Sequence, residues 1–222
     1  MARRTDPIHG AVFVAALLSL PPGSARAQVL VSGAAGASVQ GAGESDVPYL
    51  GPPFSGTAVS LLGAVDVVVL PIVSVGGEAS LAGDISGTQT QRASGGVNNF
   101  VSDHHDHVFS GTVKVGTPFD RRARVSAVGG LGVAQRHTSR TGTTSIGFPT
   151  AVTSPFETTL IDYVLAATVG ADVVVALTGR VAILAAGRIH WLKDDDREPD
   201  GVVKRGVSST ILRGGAGVLV RF

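Results

Sequence analysis

Every alternating segment of this chain carries its charges on one face only. Within these segments, which lie between residues 29 and 221, apolar side chains recur at about every second position. Asp66, Glu78, Lys114, Arg124, Asp162, Asp172, Arg188, Arg213 and Arg221 all fall on the positions in between. A period of two is that of a β-strand, whose successive side chains point to opposite faces. A face that stays free of charge from one segment to the next needs an apolar medium on that side. Helical spans cannot supply this, because residues 28–222 contain no run of about 20 apolar residues.

The pattern predicts eight strands, over residues 29–41, 57–68, 72–86, 107–117, 122–136, 158–174 and 181–192 and from 209 to the C-terminus. In the first, Val29, Val31, Ala35, Ala37 and Val39 oppose Ser32, Ser38 and Gln40. In the third, Val73, Val75, Ala79, Leu81 and Ile85 oppose Ser74, Glu78, Ser80 and Asp84. In the last, Gly214, Ala216, Val218, Val220 and Phe222 oppose Arg213, Gly215, Gly217, Leu219 and Arg221. The predicted links alternate in length. Those around residues 70–71, 118–120 and 177–179 are tight, and those over 43–55, 87–106, 137–155 and 193–208 are long and polar. Such segregation fits an up-and-down barrel with one rim toward the periplasm and the other toward the cell exterior. A lipocalin-like barrel would invert the faces, with apolar residues inside.

Composition agrees. Mean hydropathy is positive at +0.31, there is no cysteine to form disulfides, and the 30 glycines follow no linker or collagen period. At the N-terminus, Arg3 and Arg4 precede an apolar stretch over 11–20, followed by Pro21-Pro22-Gly23 and the small-residue pattern Ala25-Arg26-Ala27. This is the layout of a cleavable secretory signal over residues 1–27, with residues 28–222 as the mature domain. Cleavage removes Arg3, Arg4, Arg26 and Asp6, so the formal net charge moves from +1 to −1. Nothing in that balance suggests nucleic acid as a partner.

The apolar face of the last strand and its terminal Phe222 resemble the closing strand of bacterial outer-membrane β-barrels. The whole mature chain is similar to the small eight-stranded group that includes the membrane domain of outer membrane protein A, outer membrane protein X and the opacity-type surface proteins. Two turn-entering segments, Gly63-Ala64-Val65-Asp66-Val67 and Gly170-Ala171-Asp172-Val173-Val174, are similar to Gly-rich strand endings in these barrels. The resemblance implies an all-β, antiparallel transmembrane barrel in the outer membrane of a Gram-negative-type bacterium. Its partners would be outer-membrane lipid, the barrel-insertion machinery that reads Phe222, and an extracellular ligand of the outer loops. Phe109, Tyr163 and Trp191 would mark the outer membrane boundary, and Phe119 and Phe222 the inner one.

Eight strands enclose a lumen only wide enough for its own side chains. Asp66, Glu78, Asp84, Asp162 and Asp172 would therefore lie close to Lys114, Arg124, Arg136, Arg188, Arg213 and Arg221 and pair into an ionic plug. Three further groups have chemical potential. Asp103-His104-His105-Asp106-His107, placed in the longest outer loop, offers imidazoles for a transition metal, although a solvated loop is the plainer reading. His137 and Ser139, with Glu157 or Asp162, are similar in residue type to the His-x-Ser pair of outer-membrane lipid A deacylases but lack their flanking residues. Asp194, Asp195, Asp196, Glu198 and Asp200 form an acidic run without EF-hand spacing. The sequence thus favours a non-enzymatic barrel, without resident cofactor, in a structural or surface-interaction role. A lipid-modifying hydrolase and a narrow channel are the alternatives.

Overall fold

The computed structural model describes residues 28–40, 55–93, 96–146, 152–193 and 209–222. Residues 1–27, which hold the predicted signal, residues 41–54, 94–95 and 147–151, and the acidic run within 194–208 lie outside the described residues. The described residues form nine strands: β1 (Val29–Gln40), β2 (Gly56–Leu70), β3 (Val73–Ala82), β4 (Ile85–Ala93), β5 (Gly96–Gly116), β6 (Ala123–Ile146), β7 (Val152–Ala176), β8 (Val181–Lys193) and β9 (Ser209–Arg221). Each pairs antiparallel with its neighbours, β3 also pairs with β5, and β9 returns to β1, which closes the ring.

β3 and β4 are one stave of this barrel interrupted by a bulge, so the ring has eight staves. Both pair with β5, but from Ser80↔Val108 to Ile85↔His104 the stave advances five residues while β5 advances four. One extra residue reverses which face the side chains occupy. Ile85, expected outside, is buried, and Asp84, expected in the lumen, has its side chain 57% exposed on the outside.

Elsewhere the alternation holds. On β9, Leu212, Val218 and Phe222 face outward while Ile211, Arg213 and Leu219 are buried. Val31, Val59, Leu61, Val113, Val125, Leu131, Leu165, Val173, Ile183 and Trp191 form part of an exposed apolar belt. A belt of that size in water would be a large aggregation hazard, and in a bilayer it is the lipid-facing surface. Phe119 is a second departure. It is 6% exposed and turns inward to pack with Leu30, Ala34, Val174, Leu184 and Leu219, so it caps the inner end of the lumen instead of anchoring in lipid.

The predicted loops over 87–106 and 137–155 are in large part strand. β5, β6 and β7 are 21, 24 and 25 residues long, well beyond the 9–11 residues or so that cross a bilayer. Among the described residues, β7 pairs with β8 only from Leu165 onward and β4 pairs only with β5. Above the closed ring, β4–β7 therefore stand as a four-stranded sheet. Its residues Thr141, Thr143, Thr144, Ser145, Thr153 and Ser154 are polar on both faces, as suits a sheet with water on both sides. On its lumen-side face Phe100 is buried against Phe156, with ring centroids 6.2 Å apart.

Candidate functional site

The interior is built in layers. At the inner end the Arg124 guanidinium lies 3.3 Å from the centroid of the Phe119 ring, a cation–π contact that leaves its Nε and Nη2 without hydrogen-bond partners among the described residues. Next comes a chain of ions. Lys114 Nζ bridges Asp66 at 2.8 Å and Asp172 at 3.2 Å. Arg188 donates to Asp172 at 2.7 Å and to both oxygens of Glu78 at 2.7–3.0 Å. All five side chains are buried. Alternation puts each of them inside, and the narrow lumen puts opposite signs within hydrogen-bond reach.

Toward the outer rim, Arg213 donates to the Ser80 carbonyl at 2.6 Å, to the Ser80 hydroxyl at 2.8 Å and to the Asp106 carbonyl. His190 Nδ1 meets Thr168 Oγ1 at 2.9 Å. Val108, Ala134, Val164, Ala166, Leu192 and Ile211 then close an apolar layer. Above it, Asp106 accepts from Arg136 at 3.3 Å and lies 3.1 Å from His104 Nε2, while His104 Nδ1 is 3.0 Å from Thr138 Oγ1. A lumen cavity bordered by Ala34, Ser60, Ser80 and Arg213 has a volume of about 10 Å³, room for about one water.

Of the charges expected in the lumen, Asp66, Glu78, Lys114, Arg124, Asp172, Arg188 and Arg213 are buried there. Arg136 is mostly buried on Asp106, and Asp162 and Arg221 are half-buried. Asp84 is outside because of the bulge. Asp106 and His104 were missed as lumen residues. The signal that finds them is the uninterrupted alternation Ser102, His104, Asp106, Val108, Ser110, which runs through the segment read as loop.

The histidine cluster is divided by the same alternation. His104 and Asp106 point inward, whereas Asp103, His105 and His107 lie on the other face of β5. On that outer wall His105 stacks between His107 and His137, with centroids 4.6 and 4.7 Å apart. The Asp84 carboxylate accepts from His105 Nδ1 at 2.5 Å, and Asp103 accepts from Ser86 at 2.5 Å. His137 and Ser139, two apart on β6, share the outer face, and Asp162 is on the lumen side of β7. Of the two acids considered as orienters, Asp162 is thus set apart from the pair by the barrel wall, while Glu157, opposite Thr141, shares their outer face.

An apolar outer wall around an ion-filled interior defines an outer-membrane β-barrel, and its fold is that of the small eight-stranded ones. No protein-family model and no curated protein sequence matches the chain. Among solved structures it is similar to Ail, the attachment invasion locus protein of Yersinia pestis. The identity is 10%, 88% of this chain and 99% of that chain are covered, and the TM-score is 0.50. A major outer membrane protein of Thermus thermophilus aligns at 14% identity over 89% of this chain and 100% of that one, with a TM-score of 0.47. The outer membrane protease OmpT of Escherichia coli aligns at 10% identity over 92% and 99%, with a TM-score of 0.35. At these identities the likeness is one of fold.

Proposed function

We propose that this barrel is a non-enzymatic surface-interaction protein of the outer membrane. In this reading the β4–β7 sheet receives an extended segment of an extracellular partner by strand addition. The observation that carries the reading is the pair of sheet edges above the ring. Residues 152–164 of β7 and 85–93 of β4 each have a strand on one side only among the described residues. An unpaired edge presents a row of backbone donors and acceptors ready for another strand. The β7 edge alone spans roughly 40 Å at about 3.3 Å per residue, and it exposes Val152, Leu160 and Ile161 beside Glu157.

The filled lumen supports the same reading, since a side-chain plug suits a scaffold better than a channel. Residues 1–27 would serve as the export signal, and Phe222 would be read by the insertion machinery.

The test is adhesion. Cells displaying the full chain should bind immobilised extracellular-matrix proteins, and a variant in which residues 140–158 are replaced by a short Asn-Gly turn should lose that binding while still inserting. The double substitution Leu160→Lys/Ile161→Lys, which charges the edge without shortening it, should weaken binding as well. Equal adhesion by the wild-type and trimmed barrels would overturn the proposal.

A further inference from the structure

We propose that His105, His107 and His137 form a binding site for one divalent transition-metal ion, zinc foremost, on the outer wall of the barrel, with Asp84 fixing the His105 ring. The site is set by the strands. His105 and His107 are two apart on β5 and so share a face, and His137 is the cross-strand partner of His105 on β6. Directly opposite residues have Cβ atoms about 5 Å apart, so three imidazoles start from one small triangle of backbone in a hydrogen-bonded sheet. Neutral imidazole is a ligand for zinc, copper and nickel, and three histidines leave a fourth position open.

The surroundings favour a cation. Asp84 reaches this wall only because of the bulge between β3 and β4, and its carboxylate accepts a hydrogen bond from His105 Nδ1. That leaves Nε2 of His105 to face an ion, the arrangement in which a carboxylate orients a metal-bound histidine. Asp103 stands on the same face two residues from His105, bound to Ser86. Two carboxylates beside three imidazoles make a poor site for phosphate and a good one for a metal ion. The Nδ1 atoms of His107 and His137 are buried without a hydrogen-bond partner, so their hydrogen-bonding capacity is unspent. Below the cluster, Gln135 donates to the Tyr163 hydroxyl at 3.1 Å, at the upper border of the apolar belt.

Among the described residues no side chains already stand in metal-ligand geometry, because the three rings are stacked with interplanar angles of 26° and 19°. Binding therefore requires the rings to rotate about their side-chain torsions from stacked to convergent. The backbone triangle, held in the sheet, stays in place during that rotation. This site is not the one the residue run suggests. His104 is excluded by its inward direction, and His137, distant in sequence, replaces it.

The experiment uses the full mature chain refolded in detergent micelles, titrated with zinc chloride by calorimetry and with cobalt(II) by visible absorption. One ion per barrel is expected. His105→Ala, His107→Ala and His137→Ala should each lower the affinity at least about tenfold, and Asp84→Asn about tenfold. His104→Ala should change it by less than about twofold, because that ring is in the lumen. Strand content by circular dichroism checks that each variant is folded, and His137→Gln provides a milder substitution should the alanine variant fail to fold. Zinc binding that survives His137→Ala or His137→Gln, that is lost with His104→Ala, or that does not saturate below about 1 mM in the wild type would overturn the site.

Discussion

Arg188 and Glu78, 110 residues apart in sequence, meet across the lumen through three contacts of 2.7–3.0 Å, with both side chains 1% exposed or less. Arg188 also holds Asp172 at 2.7 Å, and Asp172 in turn contacts Lys114. One guanidinium thus ties β8 to β3 across the barrel and to its neighbour β7. Removing one partner leaves a buried charge uncompensated, which costs about 3–5 kcal/mol. Arg188→Ala, which strips Glu78 of its partner, should destabilise the folded barrel by about that much, and Glu78→Ala, which leaves Arg188 paired with Asp172, by less, read from urea unfolding in lipid vesicles. The double substitution Glu78→Leu/Arg188→Met should be milder than the sum of the two. Additive losses would show that the two residues act independently.

The inner end of the lumen makes a separate prediction. Phe119 and Arg124 stack at 3.3 Å and close the barrel toward the short turns. The wild-type protein in planar bilayers should show little or no steady conductance. Phe119→Ala removes the ring from the plug and should give small openings, as should Arg124→Ala. A large stable channel in the unmodified protein would sink the plug.

At the seam between first and last strands the chain comes unusually close. A Cβ on Gly217 would collide with the Gly33 carbonyl oxygen, whereas one on Gly214 would lie 3.9 Å from the Ala186 carbonyl oxygen. Gly217→Ala should therefore cost about 1–3 kcal/mol through forced backbone shifts. Gly214→Ala, which adds a methyl group toward lipid, should be close to neutral. Comparing the unfolding midpoints of the two variants isolates the seam from any general effect of losing a glycine. A Gly217→Ala midpoint equal to that of Gly214→Ala would show that the strands yield there.

The parts of the fold legible in the sequence are those where one face meets lipid. Val29 to Val39, Val59 to Val65 and Leu212 to Phe222 could be assigned to faces because an apolar side contrasts with a polar one. Beyond the membrane that contrast fades. Thr141 to Ser145 and Thr153 to Pro155 read as loop because a sheet wet on both sides has no apolar period, yet they are strand. The bulge at Gly83 and Asp84 was illegible for another reason. One inserted residue leaves no compositional mark, but it reverses the phase of everything after it, and it carried Asp84 from the expected plug to the histidine wall. Phe119 was misplaced because an aromatic residue beside a turn has the same sequence signature whether it anchors in lipid or folds inward. The membership of the lumen network was largely readable, and its pairing was not, since period two gives the face of a charge but not its partner across the barrel.

The final prediction concerns the closing strand. Phe222 donates its backbone N–H to the Val29 carbonyl at 2.9 Å, and its side chain is 76% exposed on the lipid side. Losing one terminal hydrogen bond should cost the finished barrel only about 0.5–1.5 kcal/mol. If the terminal aromatic is also what the insertion machinery reads, its deletion should lower surface levels far more than that loss explains. Removing Phe222 should thus leave the purified, refolded barrel nearly as stable as the wild type in urea while reducing the protein exposed on cells, measured by protease shaving. A deletion variant present at normal surface levels would refute the signal. One that is deficient on cells and equally unstable in vesicles would assign the defect to the seam, not to recognition.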